Sequence, residues 1–211
     1  LEPLSAVSNV TAELTDIITD GADEEADEAL RERFYEKVRN PATSGNKHHY
    51  RQWALEVPGV GDAKVFPLDS GDGTLTVLIV DVDKARNPSL EPAVRDYIET
   101  VRPIGATVTV SSPTMRSVNV SANVILDGTK TLDDVLAMFK SQFTEYLKSL
   151  VFVEYRVSYA KIGSLLLNIE GVQDYDDLRL NNSTGNIIVG EKEIPAMGTV
   201  SLEEVHIIAA D

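Results

Sequence analysis

Cysteine is absent from the 211-residue sequence, and basic residues are scarce: 19 Lys and Arg stand against 34 Asp and Glu, a formal net charge of −15. The missing thiols exclude disulfide frameworks, thiolate zinc sites and cysteine nucleophiles. The deficit of basic residues argues against nucleic-acid binding, which needs a basic face. No apolar run approaches the roughly 20 residues of a membrane-spanning helix. The sequence therefore predicts a globular protein without nucleic-acid or membrane-spanning character.

Apolar residues make up 43% of the chain, which is enough for one core or two small ones. The first residue is Leu1 rather than Met, and no basic and apolar signal segment follows it. We therefore expect the chain to be a fragment of a longer one.

Residues 1–40 form the first segment of the predicted organisation. After Asp23, apolar residues recur at a spacing of four. This spacing predicts an amphipathic helix that begins at Asp23 and ends at about Arg39. The acidic first turn suits the helix dipole, and Pro41 ends the pattern.

Residues 41–112 are predicted to form an α/β module. Asn46 and Ser89 are candidate caps for two helices. Between the helices, residues 74–82 are apolar on both faces, which is typical of a strand in the middle of a sheet. A further strand follows at residues 106–110. Because the apolar stripes need a common face, we expect a helix-covered antiparallel sheet.

Residues 113–170 are predicted to form a second α/β module. Apolar residues alternate from Val118 to Leu126, which predicts a strand, and Thr131 and Ser158 are candidate caps for two helices.

Residues 171–211 carry short strand patterns between turns. We expect a short-stranded β segment here that pairs with residues 1–20. The predicted fold class is therefore α+β, with two small α/β sandwich-like modules and short-stranded β segments at the two ends.

Three patterns that resemble metal sites have simpler interpretations. His48 and His49 are adjacent, so on a helix they point about 100° apart and do not easily bind one ion. The loop at residues 69–73 has two carboxylates but lacks the bidentate Glu of a calcium loop. Asp81 and Asp83 lack an accompanying phosphate loop. We therefore expect no metal and no cofactor.

Catalytic patterns are equally sparse. No Gly-x-Ser-x-Gly motif occurs, and His206 has no evident partner. Acidic groups at residues 23–25, 133–134 and 174–177 are conceivable acid–base pairs. The first two groups lie at predicted helix starts, where anions are favoured. Composition and pattern alone indicate no catalytic residue.

Five segments combine glycine, proline and aromatic residues in a recognisable order. They are residues 21–33 (GADEEADEALRER), 46–63 (NKHHYRQWALEVPGVGDA), 67–77 (PLDSGDGTLTV), 102–106 (RPIGA) and 171–178 (GVQDYDDL). Together they resemble the baseplate J-like family of contractile phage tails. The resemblance covers roughly residues 20–200, and members of that family carry a longer N-terminal region.

The resemblance implies a structural protein. Members of the family belong to the wedges around the baseplate hub, form a ring with other tail proteins and help to trigger sheath contraction. The resemblance implies no catalytic, cofactor-binding or metal-binding residue. The motif residues to which it assigns structural roles are Trp53, Ala54, Gly59, Gly71, Gly73, Arg102, Pro103 and Tyr175.

We therefore expect a wedge subunit of a virion tail baseplate that is assembled in the bacterial host cytoplasm. Its expected partners are other wedge and hub proteins and further copies of itself. One alternative is a tail adhesion or receptor-binding module, which would expose aromatic loops, although only 6% of the residues are aromatic. The other is a carboxylate-based hydrolase, which would need two carboxylates at a cleft, one with a raised pKa.

Overall fold

The computed structural model describes residues 27–39 and 45–205. The chain divides into two units, Leu1–Asn40 and Pro41–Asp211. In the first unit the described part is helix α1 (Asp27–Arg39), which confirms the predicted helix over these residues, whereas its predicted cap, Asp23, lies outside them. The large apolar side chains that α1 exposes are Leu30, Phe34, Tyr35 and Val38.

The second unit begins with a first module, residues 45–111. Its elements are α2 (Lys47–Leu55), β1 (Val60–Pro67), β2 (Thr74–Asp81), a 3-10 turn (Pro88–Leu90), α3 (Glu91–Val101) and β3 (Thr107–Ser111). Asn46 caps α2 as predicted, since its side-chain oxygen accepts the N–H of His49 at 2.9 Å. The turn before α3 is capped by Asn87, not by Ser89, which itself donates its N–H to Asn87.

The first sheet is mixed, which corrects the expected antiparallel arrangement. Its order is β1-β2-β3, with β2 in the middle as predicted. β1 runs antiparallel to β2, but β3 runs parallel to it. The reason is the crossover through α3, because a helical connection between neighbouring strands returns the chain in the same direction. Both helices pack on one face of the sheet around Trp53, Val77 and Ile98.

The second module covers residues 114–205. Its elements are β4 (Thr114–Leu126), α4 (Leu132–Leu150), β5 (Arg156–Val157), α5 (Tyr159–Leu167), β6 (Val172–Leu180), β7 (Ile187–Ile188) and β8 (Glu193–Glu204). The two predicted caps are confirmed. Thr131 and Asp134 form a reciprocal capping box at α4, and the hydroxyl of Ser158 accepts the N–H of Lys161 at α5.

Within the described residues 171–205 the strands do not form a separate segment, which corrects that expectation. β6 pairs antiparallel with one side of β4, and β8 pairs parallel with the other. With α4 and α5 these strands enclose one core that includes Phe139, Phe143 and Leu178. The long strands could not be predicted from this turn-rich sequence, because each strand is stabilised by a distant partner rather than by a local pattern. The expected pairing with residues 1–20 lies outside the described residues.

The sheets β1-β2-β3 and β6-β4-β8 are separate, as expected for two α/β modules. β5 and β7 form a small two-stranded ribbon beside the second sheet. Across residues 27–39 and 45–205, no helix combines the length and apolar character needed to cross a bilayer.

Candidate functional site: the joint between the two modules

The motif residues do not converge on a single site. Trp53 and Ala54 are buried in the first module, where the Trp53 ring meets Tyr50 edge-on at 5.0 Å between centroids. Tyr175 packs against the core of the second module beside Gly163, at a point where a larger residue than glycine would collide with its hydroxyl. These positions are compatible with structural roles, which stay a prediction.

The remaining motif residues lie in turns. Gly59, Gly71 and Gly73 have φ angles of 93°, 106° and 73°, the left-handed region that glycine enters without strain. Arg102 follows α3 and donates to Glu99 at 2.8 Å and to the carbonyl of Ala106. Pro103 packs so close to Gly45 that a Cβ on that glycine would lie 2.6 Å from the proline Cγ.

Of the two adjacent histidines, His49 contributes to packing in the first module. The ring of His49 stacks on Trp53 with centroids 3.9 Å apart, and its Nδ1 accepts the N–H of Gly45 at 3.3 Å. His206 lies outside the described residues. Within the part of the chain that the structure describes, no group of three His, Cys, Asp or Glu residues is placed to hold a metal ion.

Two of the carboxylates considered as acid–base groups or metal ligands are engaged in local structure. Asp134 belongs to the capping box, and hydrogen bonds from Thr131 hold the pKa of its carboxyl below the ordinary value. Asp81 accepts the N–H groups of Asp83 and Ala85, which fixes the turn after β2. Residues 23–25 lie outside the described part of the chain.

The contacts that join the two modules form the most distinctive site, which we call the joint. It consists of Lys64, Asp69, Val80 and Asp83 on the first module and Lys148, Val151, Tyr155, Lys192 and Ile194 on the second. At its centre Val80, Val151 and Ile194 form a small buried apolar cluster. Val80 lies on the face of β2 opposite the helices, so the second module covers that face.

An ion pair lies beside this apolar cluster. The ammonium of Lys192 lies 2.7 Å from one carboxylate oxygen of Asp69, and the hydroxyl of Thr76 donates to the same oxygen at 2.7 Å. Hydrogen bonds from Lys192 and then from Thr76 lower the pKa of Asp69. The loop after β1 is therefore tied both to its own sheet and to the second module.

Two further cations bridge the joint. The ammonium of Lys64 lies 4.2 Å from the ring centroid of Tyr155 and 4.8 Å from that of Phe66. Burial against these rings lowers the pKa of Lys64, and the charge of Glu191 opposes that shift. On the other side of the apolar cluster, Lys148 on α4 lies 3.6 Å from Asp83.

Backbone strain accumulates at the same place. Leu68, Lys84 and Phe152 have φ angles of 57°, 59° and 60°. Side chains other than those of Gly, Asn and Asp rarely adopt these values, which cost on the order of 1–3 kcal/mol each. Leu68 precedes Asp69, Lys84 follows Asp83, and Phe152 packs against the apolar cluster. At the joint, the contacts that hold the two modules together thus lie next to residues with a strained backbone.

A groove of about 150 Å³ opens along the joint. Leu147, Val151 and Ile194 contribute apolar surface to it, and Met115 and Met197 extend that surface into solvent. The groove holds no pair of carboxylates, since Asp83 is the one acidic residue among its described lining residues.

The joint was not predicted from the sequence, although one signal pointed to it. Residues 74–82 are apolar on both faces, and a helix layer can cover one face only. Val77 and Ile79 contact the helices while Val80 contacts the second module. The ion pair gave no local signal, because its partners lie far apart in sequence.

In a comparison with known protein families, each of the two modules matches a described domain. Residues 42–112 match the Baseplate J-like central domain, and residues 118–203 match the Baseplate J-like protein C-terminal domain. The chain belongs to the Baseplate J-like family. The joint described above is therefore the contact between the central and C-terminal domains of a Baseplate J-like protein.

Individual relatives agree with this assignment. Protein XkdT of the phage-like element PBSX of Bacillus subtilis is 35% identical over 202 residues, which are 92% of this chain and 58% of that protein. Baseplate protein gp47 of Escherichia phage Mu is 29% identical, with 93% of this chain and 58% of that protein covered. The Baseplate J-like chain thus spans about 58% of the length of these curated relatives.

A solved structure shares the fold. A chain in the six-fold symmetrised baseplate of the anti-feeding prophage superposes with a TM-score of 0.59 at 15% identity. The match covers 82% of this Baseplate J-like chain and 42% of the other chain.

Proposed function

We propose that the chain is part of a structural component of a phage or prophage contractile-tail baseplate, where it acts as a wedge subunit in assembly and in the triggering of sheath contraction. The observation that carries the proposal is the similarity to baseplate protein gp47 of phage Mu over 93% of this chain, which includes both modules. The protein acts through surfaces and domain geometry, not through catalysis.

The joint supports a role in triggering. A small apolar cluster, an ion pair and a cation over aromatic rings hold the modules together, while three strained residues border these contacts. Strained segments that surrounding contacts hold in place are suited to two-state rearrangement. We infer that the modules change their relative orientation at the joint when the baseplate rearranges.

The partners follow from the same proposal. They are other baseplate wedge and hub proteins together with further copies of this chain, and the location is the tail baseplate of a virion assembled in the host cytoplasm. The net charge of −15 supports protein partners over nucleic acid.

The proposed location of the protein is tested in intact tails. A short epitope is inserted at Gly128, in an open turn where a side chain would meet no neighbouring atom within 4 Å, so the insertion leaves both cores untouched. Tails purified from a host that carries the full-length gene are then labelled with antibody and viewed by electron microscopy. We expect label at the baseplate end. Label on fibre tips would support the adhesion alternative, and unlabelled tails would refute the proposal.

Triggering is tested by locking the joint. The chain has no cysteine, so Asp69→Cys and Lys192→Cys introduce the thiols for a short reversible crosslinker. We expect locked tails to assemble but not to contract until the crosslink is reduced. The matched control carries two cysteines within the second module, Thr129→Cys and Ser149→Cys, each blocked by a separate thiol-specific reagent. Contraction at the normal rate in locked tails would contradict the triggering role.

A further inference from the structure

We propose that the groove along the joint binds an acidic peptide segment of another baseplate protein, with one bulky apolar side chain of that segment seated in the groove. The inference rests on the proposed function and deepens it, because it names the chemistry of a partner that contacts both modules at once. It depends on the size of the groove, on its exposed methionines and on an arginine that no described residue neutralises.

The size of the groove suits a single side chain. Its volume is about 150 Å³, whereas sites for small molecules and cofactors usually measure about 300–1,000 Å³. An apolar cavity of about 150 Å³ accommodates a group as large as benzene. The groove therefore matches one large apolar side chain, such as that of phenylalanine or leucine, better than it matches a free small molecule.

Exposed methionine is concentrated at the groove. Two of the three methionines of the chain, Met115 on β4 and Met197 on β8, line it and are 60% and 41% exposed. The flexible thioether of methionine adapts its shape to a partner, and exposed methionine is frequent at protein-binding surfaces. The buried side chains of Leu147, Val151 and Ile194 contribute further apolar lining. An incoming apolar side chain therefore exchanges water for apolar contacts on several sides.

The charge of the groove is opposite to that of the whole chain, which carries −15. The charged residues among its described lining are Lys84, Arg86, Lys148 and Asp83. Lys84 is paired with Asp62 at 2.7 Å, and Lys148 lies 3.6 Å from Asp83. Arg86 is exposed and forms no hydrogen bond or ion pair with any residue that the structure describes. Its guanidinium is therefore available to a group from outside the chain.

This arrangement selects an acidic occupant. A guanidinium binds a carboxylate through two parallel hydrogen bonds, and arginine is enriched among the residues that contribute most to protein interfaces. Because Arg86 lines the groove, a carboxylate next to the seated side chain lies within its reach. A basic segment would instead be repelled by the cations of the lining.

Binding in the groove acts on the joint itself. The lining comes from residues 83–86 of the first module and from residues such as Met115 and Met197 of the second, so a seated segment contacts both. Such a segment keeps all its contacts only while these residues stay together, and it therefore favours that orientation of the modules over others. Withdrawal of the segment would remove this preference and leave the joint free to rearrange.

The test uses methionine methyl groups as reporters. Selective ¹³C labelling of the 211-residue chain gives signals from Met115 and Met197 in the groove and from Met138, which packs against the second core and is the internal control. The labelled chain is titrated with a short peptide that places one phenylalanine between acidic residues. In one control peptide serine replaces the phenylalanine, and in another lysine replaces the acidic residues.

We expect the acidic phenylalanine peptide to shift the signals of Met115 and Met197 but not that of Met138, and both control peptides to bind about tenfold more weakly. Arg86→Glu should weaken binding of the acidic peptide about tenfold, because attraction becomes repulsion. Arg156→Glu changes an exposed arginine of β5, outside the groove, by the same charge and should alter binding less than about twofold. Circular dichroism melts establish that both variants remain folded.

Three results would overturn the proposal. One is that Met115 and Met197 do not shift at peptide concentrations up to the millimolar range. Another is that the lysine peptide binds as tightly as the acidic one, or that Arg86→Glu and Arg156→Glu act equally, since charge then does not select the occupant. The third is that both signals shift with protein concentration alone, which would show that a second copy fills the groove. Epitope label at the baseplate would still uphold the proposed function in each case.

Discussion

Asp69 and Lys192 form an ion pair across the joint, although the two residues lie in different modules and 123 positions apart. The carboxylate ties a hairpin of the central domain to the loop that leads into β8 of the C-terminal domain. The ionised carboxylate of Asp69 therefore contributes to the contact between the modules.

Acid should therefore weaken the joint. The pKa of Asp69 is lowered in the folded chain by Lys192 and Thr76, so its ionised form favours folding. That stabilisation is complete above the unfolded pKa of about 4 and disappears as pH falls through the lower folded value. We expect Asp69→Asn to unfold at a lower urea concentration than wild type at pH 7, and the difference to shrink as the pH falls below the unfolded pKa of about 4.

The control for that experiment is Asp72→Asn, which changes an exposed carboxylate in the same loop. It should shift the urea midpoint much less than Asp69→Asn does. Equal shifts for the two variants, or a difference between Asp69→Asn and wild type that persists in acid, would show that the ion pair is not the cause.

Relief of strain beside Asp69 should stabilise the chain. Leu68 has a φ of 57° and is 62% exposed, so its side chain contributes little packing. Leu68→Gly removes the steric conflict, whereas Leu68→Ala keeps it. We expect the glycine variant to be more stable than the alanine variant by about 1 kcal/mol in urea unfolding. Greater stability of the alanine variant would mean that the angle carries no strain.

Loss of an aromatic ring from the second core should be costly. Phe143 is fully buried and stacks on Phe139 with centroids 5.6 Å apart. Phe143→Ala should destabilise the chain by about 3–5 kcal/mol through lost burial and the cavity that remains. Leu167→Ala, at a position 45% exposed, is the control and should cost under about 1 kcal/mol. Urea unfolding monitored by far-ultraviolet circular dichroism measures both.

The histidine pair should prove structural. His49 stacks on Trp53 and accepts the N–H of Gly45, so alanine at His48 and His49 together should lower the melting temperature modestly and leave the chain folded. No metal-dependent property should be lost. Calorimetric titration with zinc measures this, and a stoichiometric metal present in wild type but absent from the double variant would overturn the assignment.

Salt should promote self-association. At a net charge of −15 the copies repel one another, and this repulsion extends further when ionic strength is low. We expect the chain to be a monomer or weak dimer at micromolar concentration and to associate less at low than at physiological salt. Sedimentation at the two salt concentrations tests this. A closed ring formed at low salt without partners would contradict the charge argument.

Features with local causes could be predicted from the sequence. The cap at Asn46 and the capping box at Thr131 and Asp134 depend on residues within one helical turn, so the pattern alone predicts them. The buried middle strand β2 could also be predicted, because it contains an unbroken apolar run at residues 77–80. The family motifs were also informative. Each of the five segments is weakly specific by itself, but their occurrence in the same order along the chain is specific.

Features that depend on distant partners could not be predicted in the same way. The parallel pairing of Thr114 with Glu193 and the ion pair of Asp69 with Lys192 leave no periodic trace in either segment. Turn residues such as Pro195 and Gly198 even suggested that β8 was short. Strand character there comes from the neighbouring β4 and from the core beneath, so tertiary context overrides the local pattern.

The long separation in sequence between β4 and β8 affects the order of synthesis and folding. Residues 45–111 contain every strand and helix of the first module, so this module can fold as soon as it emerges from the ribosome. β4 follows immediately, but its parallel partner appears only after residue 193. At usual translation rates β4 waits roughly ten seconds for that partner. The nascent chain thus carries a finished domain next to an incomplete, aggregation-prone one, and chaperone dependence should be concentrated in that interval.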